Sequence, residues 1–168
     1  ASAGIDAGSV FTVRLPLASK DQPAPPPPEP APSGAPPAAQ PDALRVLVVD
    51  DNRDAAETLA ALLASMGHTA PVAADGYQAL RMIASLRPQV VFLDIGMPGM
   101  SGYEVAETVR ADPRLDGVRL VALTGWGGEA DRARSREAGF DVHLTKPASV
   151  DAIEGALAQA LARTGLPG

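Results

Sequence analysis

Cysteine is absent from the 168 residues. Without it there is no disulfide framework, no cysteine-ligated zinc site and no thiol nucleophile, and the chain fits a reducing compartment. Positive charge is also in short supply. Fourteen Lys and Arg stand against 20 Asp and Glu, for a net charge of −6, so the basic face that a nucleic-acid partner requires is not provided for. No apolar run approaches the roughly 18–20 residues that cross a bilayer, and no signal peptide is visible. The expected location is cytoplasmic, with no membrane contact. Aromatics are few, one Trp, two Tyr and three Phe, which leaves Leu, Val and Ala to build the core. At 46% hydrophobic the chain suits one domain of ordinary size plus an extension. It opens on Ala1 and reads as a piece of a longer protein.

Composition divides the chain into three segments. Residues 1–17 end in the strand-like "GSVFTVRLPL". Residues 18–42 hold ten of the seventeen prolines, which gives an extended, semi-rigid linker with little to bury. Residues 43–168 are regular. "LRVLVV" (44–49), "TAPVAA" (69–74), "VVFLD" (90–94), "VRLVALT" (118–124) and "DVHLTK" (141–146) read as strands. Between and after them lie helical stretches over 53–66, 75–86, 101–111, 128–139 and 149–164. Asp75 with Gln78 and Ser101 with Glu104 mark two helix starts, Gly67 and Gly139 mark two ends, and Pro71 fits a strand start or an edge. Strands joined by helices of this length run parallel. The expected fold is a doubly wound α/β sandwich, a five-stranded parallel sheet flanked by five helices.

Ligands of such folds sit beyond the carboxyl ends of the strands. Read in order, those ends supply Asp50-Asp51, then Asp94, then Thr124-Gly125, then Lys146-Pro147; the second strand adds nothing comparable. Clustered carboxylates are tolerable around a hard divalent cation such as Mg²⁺. A lysine and a hydroxyl can hold phosphoryl oxygens, and a carboxylate can itself be a nucleophile. Asp94, single and central, and followed by the loop "IGMPGMSG", is the best acceptor candidate. Taken singly, each feature has a plainer meaning: the acidic pair as a helix cap, Asp94 as a turn opener, Thr124 as a strand-end hydroxyl, Lys146 as a solvated lysine. Those meanings leave their common placement unexplained.

"LVVDDN", "VVFLDIGMPGMSG", "LVALTG" and "LTKP", in that order and spacing over 44–163, resemble the receiver domain of two-component response regulators. The resemblance implies the flavodoxin-like receiver fold and a phosphoacceptor at Asp94. It implies Mg²⁺ held directly by Asp51 and Asp94, by Asp50 through water and by the backbone carbonyl of Gly96. Thr124, the Gly125 amide and Lys146 would bind the phosphoryl group, the Lys146–Pro147 bond would be cis, and Thr124 would act as a switch hydroxyl. Such a domain is not an enzyme in its own right; it catalyses its own phosphorylation and dephosphorylation. The donor would be a phosphohistidine on a histidine-kinase dimerisation domain or on a histidine phosphotransfer protein. "AGIDAGSVFTVRLPL" (3–17) resembles the end of a sensor kinase's ATP-binding domain, with Asp6 where glycine is common. Kinase end, linker and receiver together imply the C-terminal part of a hybrid histidine kinase.

Two alternatives remain beside this. A degenerate receiver would dock without chemistry, against which the complete residue set speaks. An aspartyl-phosphate phosphatase would need an acid/base carboxylate two residues after its nucleophile, where this chain has Gly96. His143 stands where receivers have Tyr or Phe, as a half-buried strand residue or as a polar, pH-sensitive form of the switch. His68 is expected at the surface, "DRARSRE" (131–137) as a solvated helix face with a partner contact as the alternative, and Met97 and Met100 as packing around the loop. The resemblance also implies that Gly96 and Trp126 border the path of the hydrolytic water, one without a side chain and one bulky, which predicts slow loss of the phosphoryl group.

Overall fold

A computed structural model describes residues 43–125 and 128–163. The readings of residues 1–17 and 18–42 and of Trp126 lie outside the described residues. Within them strand and helix alternate: β1 Val46–Val49, α1 Arg53–Ser65, β2 Val72–Ala73, α2 Gly76–Leu86, β3 Val90–Asp94, α3 Gly102–Arg110, β4 Arg119–Thr124, α4 Glu129–Glu137, β5 Val142–Thr145 and α5 Val150–Arg163. A short 3-10 turn, Pro113–Leu115, precedes β4, with Asp112 at its cap and proline at its first position.

All four pairings are parallel and the strand order is β2-β1-β3-β4-β5. Every residue of β1 and β3 is buried, as strands covered on both faces must be. The two faces separate by strict alternation. Leu47, Val49, Val91, Leu93, Leu120 and Ala122 pack toward α2 and α3, together with Ile83, Val105 and Val109. Val46, Val48, Val90, Phe92, Val121 and Leu123 pack toward α1 and α5, together with Leu63, Ile153 and Leu157. Each fully buried side chain of this size contributes about 1.5–3 kcal/mol, which makes these two layers the main source of stability.

The helix starts follow the sequence closely. Ser101 and Glu104 form a reciprocal capping box on α3. Asp75 caps α2 by accepting the Gln78 amide, while Gln78 reaches back to the amide of Ala74 rather than to that of Asp75. Gly67 and Gly139, with φ of 88° and 95°, end α1 and α4 in the left-handed conformation that glycine adopts without strain. The strand expected over 69–74 contracts to Val72–Ala73, because Pro71 has no amide to give and β2 is an edge. His68 departs from its expected surface position. It is half-buried, its Nδ1 accepts the Leu44 amide at 3.2 Å, and burial pushes its pKa down.

At the amino-terminal edge of the sheet one arginine joins three elements. Arg110, the last residue of α3, donates to the carbonyls of Gly139 and Val118 and to the Asp141 carboxylate at 2.7 Å. Asp141 also accepts the Leu120 amide. The far end of the sheet is left for chemistry.

Candidate functional site

β1 and β3 are neighbours in register, Val49 beside Leu93, so the residues that follow them meet. Asp50 is 3% exposed and Asp94 8% exposed. The backbone amide of Asn52 donates to Asp50 Oδ1 at 2.9 Å, and that of Gly96 donates to Asp94 Oδ1 at 3.2 Å. Asp51 is exposed at the mouth. One carboxylate oxygen from each of Asp50, Asp51 and Asp94 lies within 4.8 Å of the others.

The acidic pair does not cap α1. That role falls to Asn52, whose side chain accepts the Ala55 amide. The asparagine directly after the pair was the available signal, because asparagine is among the best cap residues. Both aspartates are thereby left to the site.

Lys146 arrives from the opposite side. It follows β5, and its amide donates to the carbonyl of Thr124 at 2.7 Å, which pins it at the end of β4. The Lys146–Pro147 peptide bond is cis, in keeping with the sequence expectation. The side chain crosses the end of β4, and Nζ donates to Asp50 Oδ2 at 2.6 Å and lies 3.0 Å from Asp94 Oδ2. Desolvation pulls the lysine pKa down, but hydrogen bonds and attraction from Asp50 and Asp94 outweigh it and the net direction is up. Three carboxylates and one ammonium sum to −2 in a largely buried place. Hard oxygen donors with that residual charge fit one divalent cation.

Thr124 ends β4 at 6% exposure, one step beyond Leu123, which pairs with Asp94. Gly125 follows, and among the described residues, its chain neighbours aside, nothing lies within 4 Å of where its side chain would start. Asp50, Asp51, Asp94, Thr124, Gly125 and Lys146 thus share one edge of the sheet. Gly96 stands two residues past Asp94, and among the described residues a Cβ added there would meet the Asp94 carboxylate at 3.9 Å. Met97 is buried and Met100 packs against the same cluster.

His143 lies apart from this edge. It pairs in register with Ala122 and is half-buried. Its Nδ1 is 3.0 Å from Ser135 Oγ, and the same hydroxyl lies 2.9 Å from the Asp131 carbonyl oxygen. Ser135 is the buried residue of α4, a helix whose other described side chains are polar, alanine or partly exposed. Arg134 of α4 lies 4.2 Å over the Tyr103 ring of α3. Ser135 carried no signal of its own within the basic run.

A cleft of about 630 Å³ adjoins the acidic pocket. Ala55, Leu59 and Leu62 of α1 form one wall, Pro147, Ala148 and Ile153 the other, and Asp50 and Lys146 close the end toward the site.

A parallel sheet in this strand order, with its ligand groups gathered where β1 and β3 part, defines a flavodoxin-like α/β protein with an acidic site at its topological switch point. The chain belongs to the family described as the response regulator receiver domain, whose model matches residues 46–158. It is 34% identical over 118 residues to Protein PilG of Pseudomonas aeruginosa, covering 70% of this chain and 87% of that one. It is also 34% identical over 154 residues to the sensor histidine kinase AtsR of Burkholderia thailandensis, covering 88% of this chain and 24% of the kinase. The receiver domain of a signal transduction histidine kinase from Syntrophus aciditrophicus superposes with a TM-score of 0.68 at 27% identity, covering 75% and 96% of the two chains. The chain spans about half the length of the mycobacterial regulators that it matches. It is a receiver domain of two-component signalling. Among the described residues, no helix is long and apolar enough to cross a membrane.

Proposed function

We propose that Asp94 is the phosphorylated residue and that the cation is Mg²⁺. The observation that carries this reading is the bridge from Lys146 Nζ to the buried carboxylates of Asp50 and Asp94 within a cluster of net charge −2. An Asp94 oxygen attacks the phosphorus of a phosphohistidine in line. The new P–O bond forms as the P–N bond breaks, and the electron pair returns to the imidazole, which takes a proton from solvent. Lys146 turns from the carboxylates to the phosphoryl oxygens, and the Thr124 hydroxyl and Gly125 amide donate to the same oxygens. Asp51, Asp94 and the Gly96 carbonyl would hold Mg²⁺, with Asp50 acting through water, and the ion would supply charge neutralisation for the transferring group.

The same reading covers the rest of the chain. The match to AtsR takes in 88% of the residues, more than 43–168 alone could supply, which supports a hybrid histidine kinase with a kinase remnant at 1–17 and a linker at 18–42. Such a receiver works in the cytoplasm. Gly96, with no side chain to orient an attacking water, favours slow loss of the phosphoryl group.

Thr124 and His143 form the switch in this reading. Thr124 moves toward the new dianion, and the vacated space lets His143 rearrange against Ser135 on α4. Phosphorylation is expected to shift the ring-nitrogen resonances of His143; unchanged resonances would remove the histidine from the switch.

The donor is a protein, and the apolar cleft beside Asp50 and Lys146 suits its docking helix. Ala55 is exposed on the α1 wall, so Ala55→Arg fills the cleft without touching the core. Transfer from a phosphorylated histidine domain, followed as label lost from the donor and gained as an acyl phosphate, should slow at least ~10-fold, the scale of one lost interface anchor. The rate with acetyl phosphate should not change. Equal slowing with both donors would place the docking surface elsewhere.

A further inference from the structure

Gly102 opens α3, directly after its cap Ser101. Its backbone is helical, so nothing in its conformation calls for glycine. The surroundings do. A Cβ placed there would overlap the carbonyl oxygen of Asp94 and stand 2.9 Å from Ile95 Cα and 3.1 Å from the Asp94 carbonyl carbon. All three are backbone atoms, which cannot swing aside as the end of a flexible side chain can. The Gly102 amide also donates to the Ile95 carbonyl at 3.2 Å, and the Ile95 amide donates to the Leu123 carbonyl of β4 at 3.1 Å.

The first turn of α3 therefore rests on the peptide that carries Asp94. Both bodies in this contact are fixed. β3 is laddered to β1 and β4 along its length. α3 is held by its capping box and by buried Val105, Ala106 and Val109. We propose that Gly102 is a positioning residue for the acceptor: its missing side chain sets where the Asp94 backbone lies, and through it the distance of the carboxylate from Asp50 and Lys146. A methyl group at 102 has to displace the Asp94–Ile95 peptide or lift the helix from it. Either movement misplaces a nucleophile that now sits 3.0 Å from the Lys146 ammonium.

Gly76 provides the matched comparison. It is the first residue of α2, after its cap Asp75, and is also crowded. Its Cβ, however, would meet side chains, the Met100 Cγ and Cβ at 2.8 and 2.9 Å and a Val105 methyl at 2.9 Å. Alanine there strains packing without pressing on the acceptor's backbone.

The inference rests on Asp94 being the acceptor, so the experiment includes Asp94→Ala. Parent, Gly102→Ala, Gly76→Ala and Asp94→Ala are phosphorylated with acetyl phosphate at saturating Mg²⁺, and the urea midpoint of each is measured alongside. Misplacement by about 1 Å costs on the order of 10²-fold in rate. Gly102→Ala is expected to lose that much while remaining folded, with Gly76→Ala within about 3-fold of the parent at a similar loss of stability. Phosphorylation of Asp94→Ala would overturn the assignment of the acceptor itself. With that assignment intact, a Gly102→Ala rate within about 3-fold of the parent, or rates that follow the urea midpoint alike in both glycine variants, would overturn the positioning role. So would a Gly102→Ala chain that stays unfolded in trimethylamine N-oxide, a folding osmolyte, while Gly76→Ala folds, because the contact would then support the fold and not the acceptor.

Discussion

Lys146→Ala is expected to lower the rate of phosphorylation by about 10²–10³-fold, the usual cost of removing one preorganised donor from a charge-developing centre. The ammonium sits 2.6 Å from an Asp50 oxygen and 3.0 Å from an Asp94 oxygen. Among the described residues it is the cation that meets these carboxylates, and in the proposed mechanism it follows the charge onto the phosphoryl oxygens. Removing it also leaves two largely buried carboxylates facing each other, so the variant should lose roughly 1–3 kcal/mol of stability in the absence of divalent metal. Excess Mg²⁺ should restore part of the stability without restoring the rate, because the ion answers the charge of the cluster but does not occupy the lysine's place on the phosphoryl group. Lys146→Arg is a poor substitute, since the planar fork cannot reproduce a compact ammonium between two carboxylates on different strands. Stopped-flow rates and urea midpoints with and without Mg²⁺ separate the two effects. A Lys146→Ala protein phosphorylated at the parent rate would remove the lysine from the reaction.

Mg²⁺ should raise the melting temperature of the parent, and Asp51→Asn should abolish most of that rise. A ligand present at 100 times its Kd stabilises the folded state by about 2.7 kcal/mol. For a domain of this size that amounts to roughly 10 °C. The three carboxylates and Lys146 sum to −2, so a bound divalent cation would remove repulsion as well as add bonds. Asp51 is the exposed member and has no ion pair with Lys146, so its loss should leave the fold and the lysine bridge untouched. Chelation by EDTA, or the Asp51→Asn change, should lower phosphorylation by at least ~10²-fold, the scale of a lost electrostatic stabiliser. Matched NaCl provides the control for ionic strength. An equal rise in Asp51→Asn would show that the ion is held without this residue.

Most of this site could be read from the chain because parallel topology does the assembling. Once five apolar runs are joined by helices, their carboxyl ends must share one edge, and Asp50, Asp94, Thr124 and Lys146 fall there by position alone. Helix starts were equally legible at Asp75 and Ser101, where local hydrogen bonds decide. What stayed hidden depends on contacts between distant segments. Asn52 and the acidic pair compete for the same cap, and only the geometry shows which residue takes it. Ser135 looked like one more polar residue of a charged helix until β5 brought His143 against it. His68 follows a helix-ending glycine, a setting that suggests the surface, and the Leu44 amide that its Nδ1 accepts comes from a segment twenty-four residues earlier. Gly102 sat inside a capping box that explained its neighbours but not itself; the crowding by the Asp94 peptide appears only when α3 is docked on β3.

The most direct test of the central claim is the intact mass of the protein after incubation with acetyl phosphate and Mg²⁺, recorded beside Asp94→Ala. The site geometry predicts a gain of one phosphoryl group in the parent, lost on treatment with hydroxylamine as an acyl phosphate should be, and no gain in the variant. A parent that gains nothing while still binding Mg²⁺, or a variant that gains as much as the parent, would contradict it.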